Sequence, residues 1–356
     1  MITECLILGK SVYLGATCLM DFAARLLGTG SAHPEKRLTN DDIARKISEF
    51  GVETNDRWIR DRTGIRERRI ADVQNSAETN SSLGTKAARQ ALAMAGKTAQ
   101  DIDQIIYATC TPDTIIPSTA CWLQQKLGAD RAWAMDINAA CSGFIYGIVT
   151  AEQFIRSGHA KTILVVGAEV LSQFVNWQDR SSCILFGDGA GAAVLEQVPA
   201  RTARRLLANH LLSNGGLNSL FLIPAGGSKL EVTPERYQQN LHKIQMNGRE
   251  IFKVAVRTLV ECAKQTLAKN QMAIGDLDWF VPHQANIRII EAVAERLHFP
   301  MDRVLINVDR FGNTSAATIP TVLDEALRNG RIQSGQTLLF DAFGAGLTAG
   351  AVLLRW

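Results

Sequence analysis

Three residues combine a reactive side chain with a place where the chain turns from strand to helix: Cys141, His283 and Asn313. Cys141 stands in D-I-N-A-A-C-S-G-F-I-Y-G, after a strand-like run and before a strongly apolar helical one. A thiol at a helix N-terminus meets the positive end of the dipole and unpaired N–H donors, which favours the nucleophilic thiolate. The small neighbours Ala139, Ala140, Ser142 and Gly143 leave room beside it for a substrate. A cysteine taken at random is more often a small buried hydrophobe. Its surroundings shift that balance here.

His283 closes D-W-F-V-P-H and opens Q-A-N-I-R-I-I. At such a turn an imidazole stays neutral and can donate or accept a hydrogen bond. The other five of the six histidines lack this setting. Asn313, in R-F-G-N-T-S-A-A, offers a neutral amide donor, although asparagine beside glycine is commonly turn chemistry. Each signal alone is modest. Together, a thiolate that takes an acyl group and two neutral donors that hold an oxyanion suit acyl transfer.

The elements that must position these groups alternate between strand and helix, the pattern of a layered α/β fold. Strands are predicted at Gln104–Thr109, Ala132–Ile137, Thr162–Val170, Ala190–Val198, Trp279–Pro282, Val304–Val308, Thr337–Phe343 and Ala349–Trp356. Helices are predicted at Ser82–Ala95, Ser142–Arg156, Arg249–Lys269, Ala285–Leu297 and Ser315–Arg328. The chain also repeats itself. Residues 91–103 match 266–278 in pattern and end in the same D-x-D, and A-G-A-A-V-L at 190–195 echoes A-G-A-V-L-L at 349–354. D-R-A-W-A-M-D-I-N-A-A-C-S from Asp130 aligns with D-R-V-L-I-N-V-D-R-F-G-N-T from Asp302, an offset of 172 that pairs Cys141 with Asn313. On that register the two residues occupy equivalent turns of duplicated halves.

With 46% hydrophobic and 21% charged residues, the 356-residue chain can bury a large core. A net charge of +3 does not suggest a nucleic-acid partner. Locally, R-W-I-R-D-R-T-G-I-R-E-R-R between Arg57 and Arg69 carries six arginines against Asp61 and Glu67. That is either a site for phosphates or a solvated basic loop. The seven cysteines form no CxxC pair and no zinc spacing, so they read as reduced thiols of a cytoplasmic protein. No metal site is expected. No run reaches the roughly 18 apolar residues of a membrane span. Residues 1–19 contain Glu4 and Lys10, lack a basic leader region, and read as a non-native or disordered extension. The expected division is then an N-terminal half, 20–200, with the nucleophile, and a C-terminal half, 201–356, with His283 and Asn313. The glycine-rich runs from Gly187 and Gly344 fail the dinucleotide fingerprint and read instead as turns of close backbone approach.

From about Arg25 to Trp356 the sequence resembles the β-ketoacyl-acyl carrier protein synthase III family, the initiating condensing enzymes of bacterial type II fatty-acid synthesis. The motifs are R-T-G-I-R-E-R-R, A-A-C-S-G-F, F-G-D-G-A-G-A, V-P-H-Q-A-N, G-N-T-S-A-A and A-F-G-A-G. The resemblance implies a thiolase fold, duplicated halves in a five-layered α-β-α-β-α structure with two five-stranded mixed sheets, working as a homodimer. It implies Cys141 as nucleophile, and His283 and Asn313 as the donors to the malonyl thioester carbonyl. Trp58 and Arg180 fall where the family sandwiches the CoA adenine, Arg62 where it meets the phosphates, and Gly248 and Asn286 along the pantetheine channel. Arg288, with Lys253 nearby, matches the surface that receives the acidic carrier protein. Phe343 matches the aromatic residue beside the nucleophile. Ala345 replaces an oxyanion-hole glycine, which is harmless at negative φ. Arg249 replaces a smaller polar residue by the tunnel mouth. Ile116, with Phe186 a primer-pocket position, replaces an aromatic residue that in some members reaches into the partner subunit.

The implied reaction joins an acyl-CoA primer, expected to be acetyl-CoA, to malonyl-acyl carrier protein with loss of carbon dioxide. It uses no metal and no redox cofactor. Two other readings stand beside it: a thiolase-fold acyltransferase or condensing enzyme of secondary metabolism, and a non-catalytic acyl-CoA-binding partner subunit. The second should have lost its nucleophile, and this chain keeps Cys141.

Overall fold

The computed structural model describes residues 21–74 and 78–356, together with a short antiparallel backbone pair, Leu6–Ile7 with Lys10–Ser11. The expectation for residues 1–19 otherwise lies outside the described residues.

The first half builds strands β1 (Phe22–Ala32), β2 (Gln104–Ala108), β3 (Trp133–Ile137), β4 (Thr162–Glu169) and β5 (Gly189–Pro199). They form one mixed sheet in the order β1-β5-β4-β2-β3, with β4, β2 and β3 parallel and the other pairings antiparallel. All eight residues of β4 are buried. A strand covered on both faces needs apolar residues on both, which explains a run without alternation. The second half builds β6 (Leu206–Ser213), β7 (Trp279–Pro282), β8 (Thr337–Gly344) and β9 (Thr348–Arg355) in the order β6-β9-β8-β7.

The helices are α1 (Asn40–Ser48), α2 (Asp56–Thr63), α3 (Asn80–Ala95), α4 (Thr119–Leu127), α5 (Gly143–Arg156), α6 (Gly248–Ala268), α7 (Ile287–Leu297) and α8 (Thr318–Arg328), with several shorter turns. The two helices α5 and α8 lie between the sheets. Phe144, Ile148, Ile319 and Leu323 share one core with Val165 and Leu195 of the first sheet and with Val281 and Phe340 of the second. Outside, Leu83, Ala87 and Leu123 of α3 and α4 cover the first sheet. Val256, Leu259, Ile290 and Val293 of α6 and α7 cover the second. This is the five-layered thiolase fold that the repeat and the resemblance predict.

Two expectations are corrected. The predicted strand Val304–Val308 does not form, so the second sheet has four strands among the described residues rather than five. Val304 makes one parallel bridge to Phe280, and Leu305 N–H donates to the Phe280 carbonyl at 2.9 Å. The ladder then stops, because the side-chain oxygen of Gln284 accepts from the N–H groups of Asn307 and Val308 at 3.0 and 3.3 Å. A buried amide takes the bonds a neighbouring strand would have made. β6 is an edge strand that the sequence pattern does not reveal, because polar Asn209 and His210 obscure its apolar residues.

The second correction concerns the repeat. Gln104 and Trp279, which open β2 and β7, lie 175 positions apart, as do Thr162 and Thr337, which open β4 and β8. The turns Ala140–Ser142 and Ser315–Ala317, which lead into α5 and α8, are also 175 apart. The counterpart of Cys141 is therefore Ala316, not Asn313. Six positions separate Ala134 from Ala140, but eleven separate Val304 from Ser315, and Asn313 lies in that longer segment. The halves are duplicated; the two site residues are not twins.

Candidate active site

Cys141 sits in the 3-10 turn between β3 and α5 and is buried. The turn is pinned from the other half of the fold. Thr348 Oγ1 donates to the Ala139 carbonyl at 2.9 Å and lies 2.7 Å from Ser142 Oγ. Ala140 has φ +45°, a left-handed conformation that costs a non-glycine residue about 1 kcal/mol or more and is held by the packing around it.

The electrostatics differ from the expectation of a thiolate. Burial pushes the Cys141 thiol up to about 12; a hydrogen bond with Ser315 acts against this, and the charge of Glu169 adds to it. Desolvation of a charge in an apolar pocket outweighs the hydrogen bonds that would lower it. At neutral pH the thiol keeps its proton and needs a base to become a nucleophile.

His283 lies in the loop from β7 to α7. Its N–H donates to the Asp341 carbonyl at 2.8 Å, and Nδ1 lies 2.7 Å from Thr318 Oγ1. Burial lowers its pKa to about 3, so the imidazole is neutral. The predicted helix from Ala285 begins two residues later, because Asn286 caps it: Asn286 Oδ1 accepts from Ile289 N–H at 3.0 Å.

Asn313 is clamped on both sides of its peptide. Its N–H donates to the Leu185 carbonyl at 2.9 Å, and its carbonyl accepts from Gly187 N–H at 3.1 Å. Oδ1 accepts from Ser315 N–H at 2.8 Å, so the amide is oriented with its oxygen occupied and its NH2 group left to donate.

Cys141, His283 and Asn313 open onto one cavity of about 110 Å³, many times the ~10–15 Å³ one water needs. Phe186, Gly248, Asn286 and Phe343 line it too. Its remaining walls are apolar and include Leu185, Phe221, Met246, Ile251, Phe252 and Leu347. A largely apolar cavity of this kind suits a thioester arm. The glycine-rich runs are sites of close approach: a β-carbon on Gly187 would stand 2.2 Å from the Phe311 carbonyl oxygen.

The other predicted positions lie outside this cavity. Arg62 and Arg180 both set their guanidinium groups over the Trp58 ring, at 4.2 and 4.3 Å from its centre. Arg180 also donates to the Glu53 carbonyl at 2.8 Å. The helix α2 that carries Trp58 and Arg62 ends at Gly64, where φ is +75° and a β-carbon would stand 2.7 Å from Ile287. Only glycine lets α2 rest against the start of α7. Arg288 lies 6.0 Å over the ring of Phe252, and Lys253 pairs with the exposed Glu250 at 2.8 Å. Ala345 is not among the non-glycine residues with positive φ in the described chain, so alanine is tolerated there. Ile116 is 86% exposed, with Ile115 beside it, and does not line the cavity of its own chain.

Three residues behind the site were not singled out from sequence: Glu169, Ser315 and Thr318. Glu169, wholly buried at the end of β4, accepts from Thr109, Thr111 and Ser315 hydroxyls and from Cys110. A lone acid closing an apolar strand was the available signal. Ser315 and Thr318 follow Asn313 in G-N-T-S-A-A-T, where hydroxyls read as helix-start residues. Among the described residues, no group of three or more His, Cys, Asp or Glu is placed to hold a metal ion, and no helix is long and apolar enough to cross a membrane.

A duplicated five-layered fold with a buried thiol, imidazole and amide meeting in a slender apolar cavity defines a thiolase-fold acyltransferase. Comparison with known proteins narrows the class. The 3-oxoacyl-[acyl-carrier-protein] synthase III family matches residues 135–215, and its C-terminal family matches residues 267–356. Over 334 residues the chain is 51% identical to a β-ketoacyl-[acyl-carrier-protein] synthase III of Xanthomonas campestris, covering 94% of this chain and 98% of that one. A protein of the same description from Symbiobacterium thermophilum is 49% identical over 331 residues, 93% of this chain and 97% of its own. The crystal structure of 3-oxoacyl-[acyl-carrier-protein] synthase III from Aquifex aeolicus superposes with a TM-score of 0.84 at 43% identity, covering 94% of this chain and all of that one. The chain belongs to the β-ketoacyl-[acyl-carrier-protein] synthase III family, the condensing acyltransferases that initiate fatty-acid synthesis.

Proposed function

We propose that the enzyme condenses an acyl-CoA primer, acetyl-CoA first among them, with malonyl-acyl carrier protein in two half-reactions at the shared cavity. In the first, Cys141 attacks the primer thioester carbonyl, the carbon–sulfur bond to CoA breaks, and CoA leaves with a proton. In the second, the malonyl group loses carbon dioxide, and the resulting enolate oxygen is held by donors at His283 and Asn313. Its carbanion then attacks the acyl-cysteine, freeing Cys141 and giving the 3-oxoacyl-carrier protein. Donors fixed in a dry site stabilise developing charge far more than water-exposed ones, and losing one typically costs ~10²–10³ in rate. The thioesters supply the reactive bonds, and no cofactor is needed.

The observation that carries this reading is the meeting of Cys141, His283 and Asn313 on one apolar cavity. CoA enters past Trp58, Arg62 and Arg180, and Gly248 and Asn286 flank its pantetheine arm. Arg180 must lift off Trp58 to admit an adenine ring. The carrier protein, an acidic partner, docks on Arg288 and Lys253 near the same mouth. A homodimer is supported by β3, which among the described residues is an edge strand with a partner on one side, and by the exposed Ile115–Ile116 pair, which would cover the partner's primer pocket. The enzyme works in the cytoplasm.

The test is intact mass after mixing with acetyl-CoA, followed by addition of malonyl-carrier protein. Cys141 should gain one acetyl group and lose it as 3-oxoacyl-carrier protein and carbon dioxide appear. A chain that never acquires the acyl group refutes the proposal.

A further inference from the structure

Thr318 makes two contacts through one hydroxyl. Its Oγ1 donates to the Ser315 carbonyl at 2.9 Å and lies 2.7 Å from His283 Nδ1. A hydroxyl has one proton and two lone pairs. When that proton goes to the carbonyl, Oγ1 faces His283 as an acceptor, and Nδ1 must carry the imidazole proton. The reverse arrangement would leave two oxygens 2.9 Å apart with no proton between them, lone pair facing lone pair. We propose that Thr318 is a positioning residue that holds resting His283 in its Nδ1–H form, so that Nε2 presents a lone pair to the cavity.

The inference rests on the two half-reactions proposed above and assigns one imidazole form to each. In the first half-reaction a buried, protonated Cys141 needs an acceptor for its proton. Nε2 takes it, the thiolate attacks the acyl-CoA carbonyl, and the departing CoA thiolate recovers the proton from Nε2. In the second half-reaction the enolate needs a donor at the same place. Between the half-reactions Nε2 takes a proton from solvent and Nδ1 releases its own; rotating the Thr318 hydroxyl from the Ser315 carbonyl to Nδ1 then holds the Nε2–H form. The Ser315 carbonyl then keeps its bond from the Thr318 N–H, so the rotation strands no buried acceptor. One hydroxyl rotation lets a single histidine serve as base and then as oxyanion donor.

The test combines spectroscopy with the two half-reactions. The whole enzyme, labelled with ¹⁵N-histidine, is compared as wild type, Thr318→Val and Thr318→Ser, with His283 signals identified by their loss in His283→Gln. Wild type and Thr318→Ser should show a protonated Nδ1 and an unprotonated Nε2. Thr318→Val, of nearly the same shape, should show the proton on Nε2. Acetylation of Cys141 should fall ~10²-fold in Thr318→Val, the scale of general-base assistance, and stay near wild type in Thr318→Ser. Carbon dioxide release from malonyl-carrier protein should persist in both. A wild-type resonance with the proton on Nε2, or Thr318→Val acetylating at the wild-type rate, overturns the assignment. If Nδ1 is protonated but no acyl-CoA modifies Cys141, the proposed function fails while the tautomer held by Thr318 stands.

Discussion

A β-carbon on Gly344 would stand 2.8 Å from the backbone nitrogen of Cys141. The end of β8, in the second half, thus touches the nucleophile turn of the first. In the first half the position of Gly344 is taken by Glu169, each being the last residue of its strand. Gly344→Ala should push strand and turn apart. Overpacking costs about 1–3 kcal/mol, and a displacement near 1 Å at a nucleophile costs up to ~10²-fold in rate. We expect a lower melting temperature and Cys141 acetylation slowed by ~10-fold or more. Acetylation at the wild-type rate would show that the turn is free to move.

The half-reactions should separate by residue. Cys141→Ser should abolish self-acylation, since a buried hydroxyl is a poorer nucleophile than a thiolate, yet still release carbon dioxide from malonyl-carrier protein. Asn313→Ala should reverse this, with Cys141 still acetylated and decarboxylation lowered ~10²–10³-fold. His283→Ala should impair both. Radiolabel transfer from acetyl-CoA, run beside carbon dioxide release, measures the split. A His283 variant that acetylates normally would remove His283 as the base.

Stability in acid should depend on buried groups of opposite sign. His283 and His33 are both held near pKa 3 by burial, the latter also by Arg69 and Arg310. Between about pH 6.5 and 3 the unfolded chain binds protons that the native one refuses, so these histidines make stability rise with pH there. Burial instead raises Asp188 to about 6. Between about pH 4 and 6 the native state keeps that proton, so Asp188 makes stability fall as pH rises. His283→Gln should therefore flatten the acid limb by up to ~1.4 kcal/mol per pH unit, and Asp188→Asn should steepen it between pH 4 and 6. Urea unfolding at stepped pH reads both slopes; slopes equal to wild type would place these groups' titration outside the window.

Arg180 spans Trp58 and the Glu53 carbonyl, away from the cavity. Arg180→Ala and Arg62→Ala should raise the KM for acyl-CoA several-fold with little change in kcat, because they touch the part of the substrate that does not react. Added salt should raise the wild-type KM and affect the variants less. An unchanged KM in both variants would move the CoA entrance elsewhere.

The sequence by itself determined most of the elements and the residue types that meet at the site. Predicted ends for α5, α6, β4 and β5 agree with the structure within a residue or two, because their apolar runs and flanking turns are local features. Cys141, His283 and Asn313 stood out by residue type and setting, and the resemblance to the family pointed to Phe186, Gly248, Asn286 and Phe343, which line the same cavity. Tertiary structure decided what depends on neighbours distant in the chain. Gln284, remote from the strand it replaces, ended the second sheet at four strands. The segment from Val304 to Ser315, five positions longer than its counterpart from Ala134 to Ala140, pairs Cys141 with Ala316 and leaves Asn313 without a twin. Most of all, burial set the state of the thiol. A helix terminus can be read from sequence, but the desolvation that raises the thiol arises only when two sheets and their shared helices close around Cys141.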